Sequence, residues 1–397
     1  VNHADGELIV RRIGRLVTHA GRPVNGSAAV LIRSGRVAWT GAERDLPAGV
    51  PALPEVDAGG GCVLPGFVDP HTHLVWAGGR RDEFVARLAG ERYDGGGIRG
   101  TVAATVAASD AELLGLARGR VAAMVANGTT TVEVKTGYGL DPAAELRLLG
   151  LVAELAAVVP ARVQATFLAH VVPDGVDRAA HVAALAGALP AAAAAGASWC
   201  DVFCDRGAFS LAETAVLLRA AAAAGLGTRL HAEQLACTGA AALAAEHGCA
   251  SADHLDLVDP AGARAMAAAG VVGVLLPTAT LSTRGHAWDA ARTLRAAGVT
   301  LALGTDCNPG TSWCESMPYA MQLACLLLGL SVDQAVRAAT AGGAAALRLA
   351  DVGHLGVGAR GDLVVLAADH EADLVAHLGA RPARRTVIGG EPAGGVA

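Results

Sequence analysis

The stretch that decides the fold is "LPGFVDPHTHLVWAGGRRDEF", residues 64–84. A short apolar run ends in His71 and His73, one residue apart. Alternate side chains of a β-strand share a face. If residues 66–73 form a strand, both imidazoles point the same way and offer two nitrogens to one metal ion. Other strands must then complete the shell.

Outward from this stretch, residues 65 to 350 alternate short apolar runs with longer Ala-rich segments such as "PAAAAAGA" (190–197) and "RAAAAAGLG" (219–227), which read as helices. Eight runs read as strands: "GFVDPHTH" (66–73), "TTTVEVK" (129–135), "RVQATFLAH" (162–170), "WCDVFC" (199–204), "GTRLH" (227–231), "CASADH" (249–254), "VVGVLL" (271–276) and "VTLALGTD" (299–306). Eight strands with crossover helices predict an α/β fold, a (β/α)8 TIM-like barrel, with its chemistry at the C-terminal ends of the strands. The gap from 74 to 128 opens on an Arg-rich stretch and holds "GGG" (95–97), so a mobile active-site loop is expected there.

Placed on these strands, His71 and His73 close the first, His231 the fifth, His254 the sixth and Asp306 the eighth. A lone histidine is more often a surface or structural residue, and His3, His19, His181, His286 and His377 are read so. Five such groups at matching strand ends are a different matter. His71, His73, His231 and Asp306 make a shell of three nitrogens and one oxygen, suited to one Zn2+ or Fe2+/Fe3+ ion per subunit. A carboxylated lysine from the fourth strand would bridge a second metal. The fourth strand has no lysine, and Lys135 ends the second, sharing a face with Glu133. That pattern predicts a structural ion pair inside the barrel and a mononuclear site.

Residues 1–63 and the end of the chain share another style, short β-rich runs between turns, as in "SAAVLIRSGRVAWTG" and "GVGARGDLVVLAA". We expect residues 1–64 and 352–397 to form one composite β-sandwich and 65–351 the barrel. The 31 basic and 37 acidic residues of the 397 are unclustered, which argues against nucleic acid or a membrane surface as partner. No run of 18 strongly apolar residues predicts a membrane helix, and the first residues lack the order of a signal peptide. The eight cysteines show no CxxC pair or disulfide framework, so reduced thiols in a cytoplasmic protein are expected.

The segments "PGFVDPHTHLVWAGGRRDEF", "GTTTVEVKTGYGLD", "DVFCDRGAFSL", "SADHL" and "GTDCNPGTS" resemble the amidohydrolase superfamily and, within it, the imidazolonepropionase family. The resemblance covers nearly the whole chain. It implies hydrolysis of the cyclic amide of 4-imidazolone-5-propanoate to N-formimidoyl-L-glutamate in histidine degradation. It assigns His71, His73, His231 and Asp306 to the metal. Arg80 would pair with the substrate propionate. Tyr138, His170, Asn308, Gly310 and Thr311 would contact substrate or product. Gln234 stands where some members carry Glu; unable to act as a base, it would hydrogen-bond substrate. His254 would orient or help deprotonate the attacking water. A homodimer is also implied.

The chemistry of the residues agrees. A bound metal lowers the pKa of water, Asp306 is placed to move its proton to the departing ring nitrogen, and an arginine suits a carboxylate-bearing substrate. Two other readings compete. A purine or pyrimidine aminohydrolase would keep the metal site but give Arg80 nothing to pair. A metal-free scaffold would have lost ligands that this chain keeps.

Overall fold

The computed structural model describes residues 6–91, 97–285 and 287–395. His3, His286, Gly95 and Gly96 lie outside them. Five strands come first: β1 (Leu8–Leu16), β2 (Val24–Arg33), β3 (Arg36–Ala42), β4 (Glu55–Asp57) and β5 (Cys62–Pro65). The barrel strands follow: β6 (Phe67–Asp69), β7 (Thr129–Lys135), β8 (Arg162–Ala169), β9 (Trp199–Cys204), β10 (Gly227–Ala232), β11 (Ser251–His254), β12 (Val272–Leu275) and β13 (Leu301–Leu303). The chain ends with β14 (Leu363–Leu366), β15 (Ala383–Ile388) and β16 (Glu391–Gly395).

The barrel sheet runs in unbroken chain order from β6 to β13, and its strand pairs are parallel. Helices cover its outside, so strands such as β7 and β11 are buried along their whole length. Closure is made beyond the strand ends. Thr72 bridges Cys307 in parallel, Asp306 N–H donates to the His71 carbonyl at 3.0 Å, and His73 N–H donates to the Cys307 carbonyl at 3.0 Å. The eight expected strands are all present, but the first is only three residues long. Pro70 has no N–H for the ladder, so β6 stops before it.

The terminal strands form one sheet in the order β16-β15-β14-β5-β1-β2-β3, with β4 on β1. The expected sandwich is thus a single sheet folded over until its opposite ends touch. β2 and β3 are joined by Ser34 and Gly35, both at positive φ, and β15 and β16 by Gly389 and Gly390, also at positive φ. Such two-residue turns match the twist of a hairpin. Gly361 N–H donates to the Gly35 carbonyl and Gly390 N–H to the Gly361 carbonyl, which brings the two hairpin ends together. Val10, Val30, Val63, Val365 and Val387 share the core beneath.

Residues 74–128 differ from the expected loop. They hold three helices, Arg81–Leu88, Ile98–Ala107 and Asp110–Ala126, the last capped by Ser109. Val121, Met124 and Val125 of the third helix pack in one cluster with Trp76 and Tyr138. The expectation of mobility at 95–97 falls mostly on residues outside the described set.

A short π-helical turn, Ala338–Gly342, packs across the seam between β6 and β13. A Cβ on Gly342 would lie 2.2 Å from the Leu301 carbonyl oxygen, and one on Gly343 2.3 Å from that of Val68. Helix propensity favours Ala over Gly by about 1 kcal/mol, while overpacking against backbone costs roughly 1–3 kcal/mol or more. We expect the clash to win: Gly342→Ala should lower unfolding free energy by about 1–3 kcal/mol in a urea titration. A stabilised variant would show that the seam has room the structure denies it.

Candidate active site

Five of the predicted groups meet at the C-terminal mouth of the barrel. Ligand-capable atoms of His71, His73 and Asp306 lie within 4.8 Å of one another, as do those of His71, His231 and His254. His71 belongs to both sets. Its ring centroid is 5.3 Å from His73, 4.4 Å from His231 and 5.4 Å from His254. His254 and Asp306 both carry positive φ, an uncommon backbone state for residues with side chains that turns both inward at the strand ends.

The ring nitrogens are sorted by carboxylates behind them. His71 Nδ1 is 2.6 Å from Asp253 Oδ2, and His231 Nδ1 is 3.1 Å from Asp201 Oδ1. An ionised carboxylate only accepts, so each Nδ1 carries the hydrogen and each Nε2 is left as a lone pair. His71 Nε2 is buried without a hydrogen-bond partner and sits 3.5 Å from Asp306 Oδ1. A buried lone pair facing a carboxylate is unfavourable without a cation between them. Burial, then the charge of Lys135, holds the His71 pKa well below the usual value. Burial, then neighbouring His231, does the same for His73. Neutral rings and a carboxylate are what a metal ion needs, and the cluster is compatible with one.

Behind the cluster lies the ion pair expected of Lys135, in a larger form. Lys135 Nζ contacts Glu133 at 2.8 Å and Asp201 at 2.7 Å, with Asp253 at 3.8 Å. Arg229 donates to Asp253 at 3.0 Å and to the Pro70 carbonyl at 2.7 Å. All five side chains are fully buried. Burial works against a charge on Lys135, but Asp201 and Glu133 outweigh it and raise the ammonium's pKa above its usual value. Reading strands by their last residues passes over Asp201, Asp253 and Arg229. Their signal is a charged residue at an inward position of an otherwise apolar run.

In front of the cluster is a small cavity, about 70 Å³, edged by His73, Tyr138, His170, Gln234, Asn308 and Thr311, together with Arg80. His170 stacks on His73 at 5.8 Å, and burial pulls its pKa down to about 3. Burial also lowers His254 to about 3. Arg80 Nε and Nη2 are held by Glu83 at 2.6 and 2.8 Å. Asn308 is occupied with its own loop, accepting from Gly310 N–H and Thr311 N–H at 2.8 Å each and donating to the Asp306 carbonyl at 2.7 Å. Gly310 is not on the cavity wall; it leaves room for Arg80, whose Nη1 would be 2.3 Å from a Cβ there. Of the histidines read as bland, His377 is exposed, and His181 is buried against Phe209 away from the site.

Removing one partner of a buried charge cluster leaves the others uncompensated, at about 3–5 kcal/mol. Lys135→Met keeps the bulk and drops the charge. It should lower stability by about that amount, read by denaturant unfolding. An unfolding free energy within 1 kcal/mol of the parent's would mean that Asp201 and Glu133 do not depend on Lys135.

Residues 62–393 match the model of the amidohydrolase family. An imidazolonepropionase of Salinispora arenicola is 48% identical over 97% of this chain and 98% of its own. One from Aromatoleum aromaticum is 46% identical over 98% of this chain and 97% of its own. Among solved structures, a triazine hydrolase from Arthobacter aurescens superposes with a TM-score of 0.77 at 17% identity, covering 98% of this chain and 95% of that one, a likeness of fold alone. The chain belongs to the amidohydrolase family and, within it, to the imidazolonepropionases.

Proposed function

We propose that this chain hydrolyses the cyclic amide of 4-imidazolone-5-propanoate to N-formimidoyl-L-glutamate, using His71, His73, His231 and Asp306 to hold one Zn2+ or Fe2+/Fe3+ ion. The observation that carries the reading is one cavity joining the histidine–aspartate cluster to Arg80, in a chain that matches imidazolonepropionases over nearly their full length. When bound, the ion supplies Lewis acidity that brings the pKa of water toward neutrality. Asp306, its carboxyl pushed up by burial, takes the proton of the attacking water and hands it to the ring nitrogen as the C–N bond breaks. His254, neutral beside the cluster, orients the water and donates to the oxyanion that develops on the ring carbonyl. Arg80, oriented by Glu83, takes the propionate. Tyr138, His170, Gln234, Asn308 and Thr311 surround the ring and tail, and Gly310 acts by leaving room for Arg80.

The same reading divides the chain into a composite β-domain, 1–64 with 352–397, and a catalytic barrel, 65–351. The pairing of Leu64 with Val364 supports that division. A cytoplasmic setting rests on the eight free cysteines, and a homodimer on the family alone. Among the described residues, no helix is long and apolar enough to cross a membrane.

The test is an assay with imidazolonepropionate generated in situ, run beside metal analysis. Arg80→Met should lower kcat/KM by the equivalent of about 2–5 kcal/mol while metal content stays constant. His254→Asn should lower kcat by roughly 10²-fold or more, with metal retained. Full activity of Arg80→Met would end the carboxylate assignment and favour a neutral-ring aminohydrolase.

A further inference from the structure

Glu145, in the first turn of the helix Pro142–Val158, is 1% exposed and does not line the cavity. Its two oxygens are spent on the loop between β7 and that helix. Oε2 accepts from Gly137 N–H at 2.6 Å, and Oε1 accepts from Gly139 N–H at 2.8 Å and Leu140 N–H at 2.7 Å. The loop needs such a hold, because Gly137 and Leu140 both carry positive φ. It is also pressed on the helix: a Cβ on Gly139 would lie 2.7 Å from that of Ala144.

Two features of this loop reach the site. Tyr138 places its ring 5.7 Å from that of His170. The Gly137 carbonyl lies 3.0 Å from His170 Nδ1. A carbonyl oxygen can only accept, so Nδ1 carries the hydrogen. A neutral imidazole has one N–H, and its other nitrogen is then a bare acceptor. Among the described residues no donor is hydrogen-bonded to His170 Nε2, and the ring lines the cavity.

We infer that Glu145 is a positioning residue: by holding the loop 137–140 it aims the Gly137 carbonyl at His170, fixing the ring as the Nδ1–H form whose Nε2 accepts a ring N–H of a cyclic-amide substrate. The inference rests on the cyclic-amide reading above and adds a requirement to it. The substrate must present a hydrogen on a ring nitrogen, and selectivity for that hydrogen is set by a residue outside the cavity.

Two measurements on the metal-bound protein test this. The first is competitive inhibition by hydantoin-5-propionate, a stable cyclic amide with the same tail, against its ring-N-methylated forms. The parent should prefer the N–H form by at least tenfold for one ring position. Glu145→Gln keeps the shape but has one acceptor oxygen for three N–H groups, and should lose most of that preference with metal content unchanged. Glu145→Asp, which keeps both oxygens, should recover part of it. A purely structural role would weaken both ligands equally and leave the ratio intact; that result overturns the inference. The second is the ring 15N spectrum of the parent, with His170 assigned through His170→Asn. A hydrogen found on Nε2 and not on Nδ1 also overturns it, whether or not the Glu145 variants fold. If neither ligand binds the parent, the cyclic-amide reading itself fails, and with it the inference.

Discussion

Lys135 is one ammonium shared among carboxylates that aim two different histidines. Asp201 meets it at 2.7 Å and holds His231; Asp253 lies at 3.8 Å and holds His71. The site's geometry depends on that sharing. The interaction of two charges about 4 Å apart in a protein is of order 4 kcal/mol, while taking each ion out of water costs several kcal/mol. The cluster therefore adds little net stability. Its value lies in direction: each carboxylate is fixed, so each imidazole turns the same nitrogen forward. With all five groups ionised, three carboxylates against Lys135 and Arg229 leave the barrel interior one negative charge in excess, directly behind a cluster of neutral nitrogens.

The rim of the site repeats a simpler device. Backbone N–H groups beyond the strand ends have no ladder partner, and buried carboxylates collect them. Glu145 takes three from the loop after β7. Asp205, at the end of β9, takes those of Gln234 and Leu235 at 2.7 and 2.8 Å. Asp69 takes Thr305 N–H at 3.1 Å and His71 N–H at 3.3 Å, tying the first barrel strand to the last. Loops held this way bring Tyr138, Gln234 and Asp306 to the cavity as firmly as strands would.

Much of this was legible from sequence because strand ends carry the chemistry. His71, His73, His231, His254 and Asp306 stand out as ionisable groups closing apolar runs, and the barrel's logic brings such ends together. Lys135 was readable as a partner of Glu133 by period 2 alone. Its link to Asp201 was not, since that contact depends on β7 and β9, the two neighbours of β8, turning these side chains into the same level of the barrel interior. The extent of β6 was hidden because Pro70 interrupts the ladder, and past it only an isolated bridge, Thr72 to Cys307, continues the pairing. The helices described within 74–128 escaped because Arg80, Arg81, Arg99 and Gly100 mark the starts of the first two and the apolar pattern of the third is weak. Glu145 looked like any acidic residue in a helix's first turn, where it favours the helix dipole; only the folded loop shows what its oxygens hold.

The terminal sheet carries a consequence for how the chain is made. β5 has β1 on one side and β14 on the other, with Val63 opposite Val365. Between them in sequence lie the eight barrel strands. During synthesis, β1 to β5 emerge first, and β5 must present a bare hydrogen-bonding edge until the last part of the chain arrives. Exposed edges invite pairing with other chains, and large proteins misassemble through such intermediates. The barrel fold thus imposes a waiting time on the module that frames it. Stalled translation or loss of β14 would leave that edge open, so the small sheet adds its own exposure to aggregation beside that of the barrel.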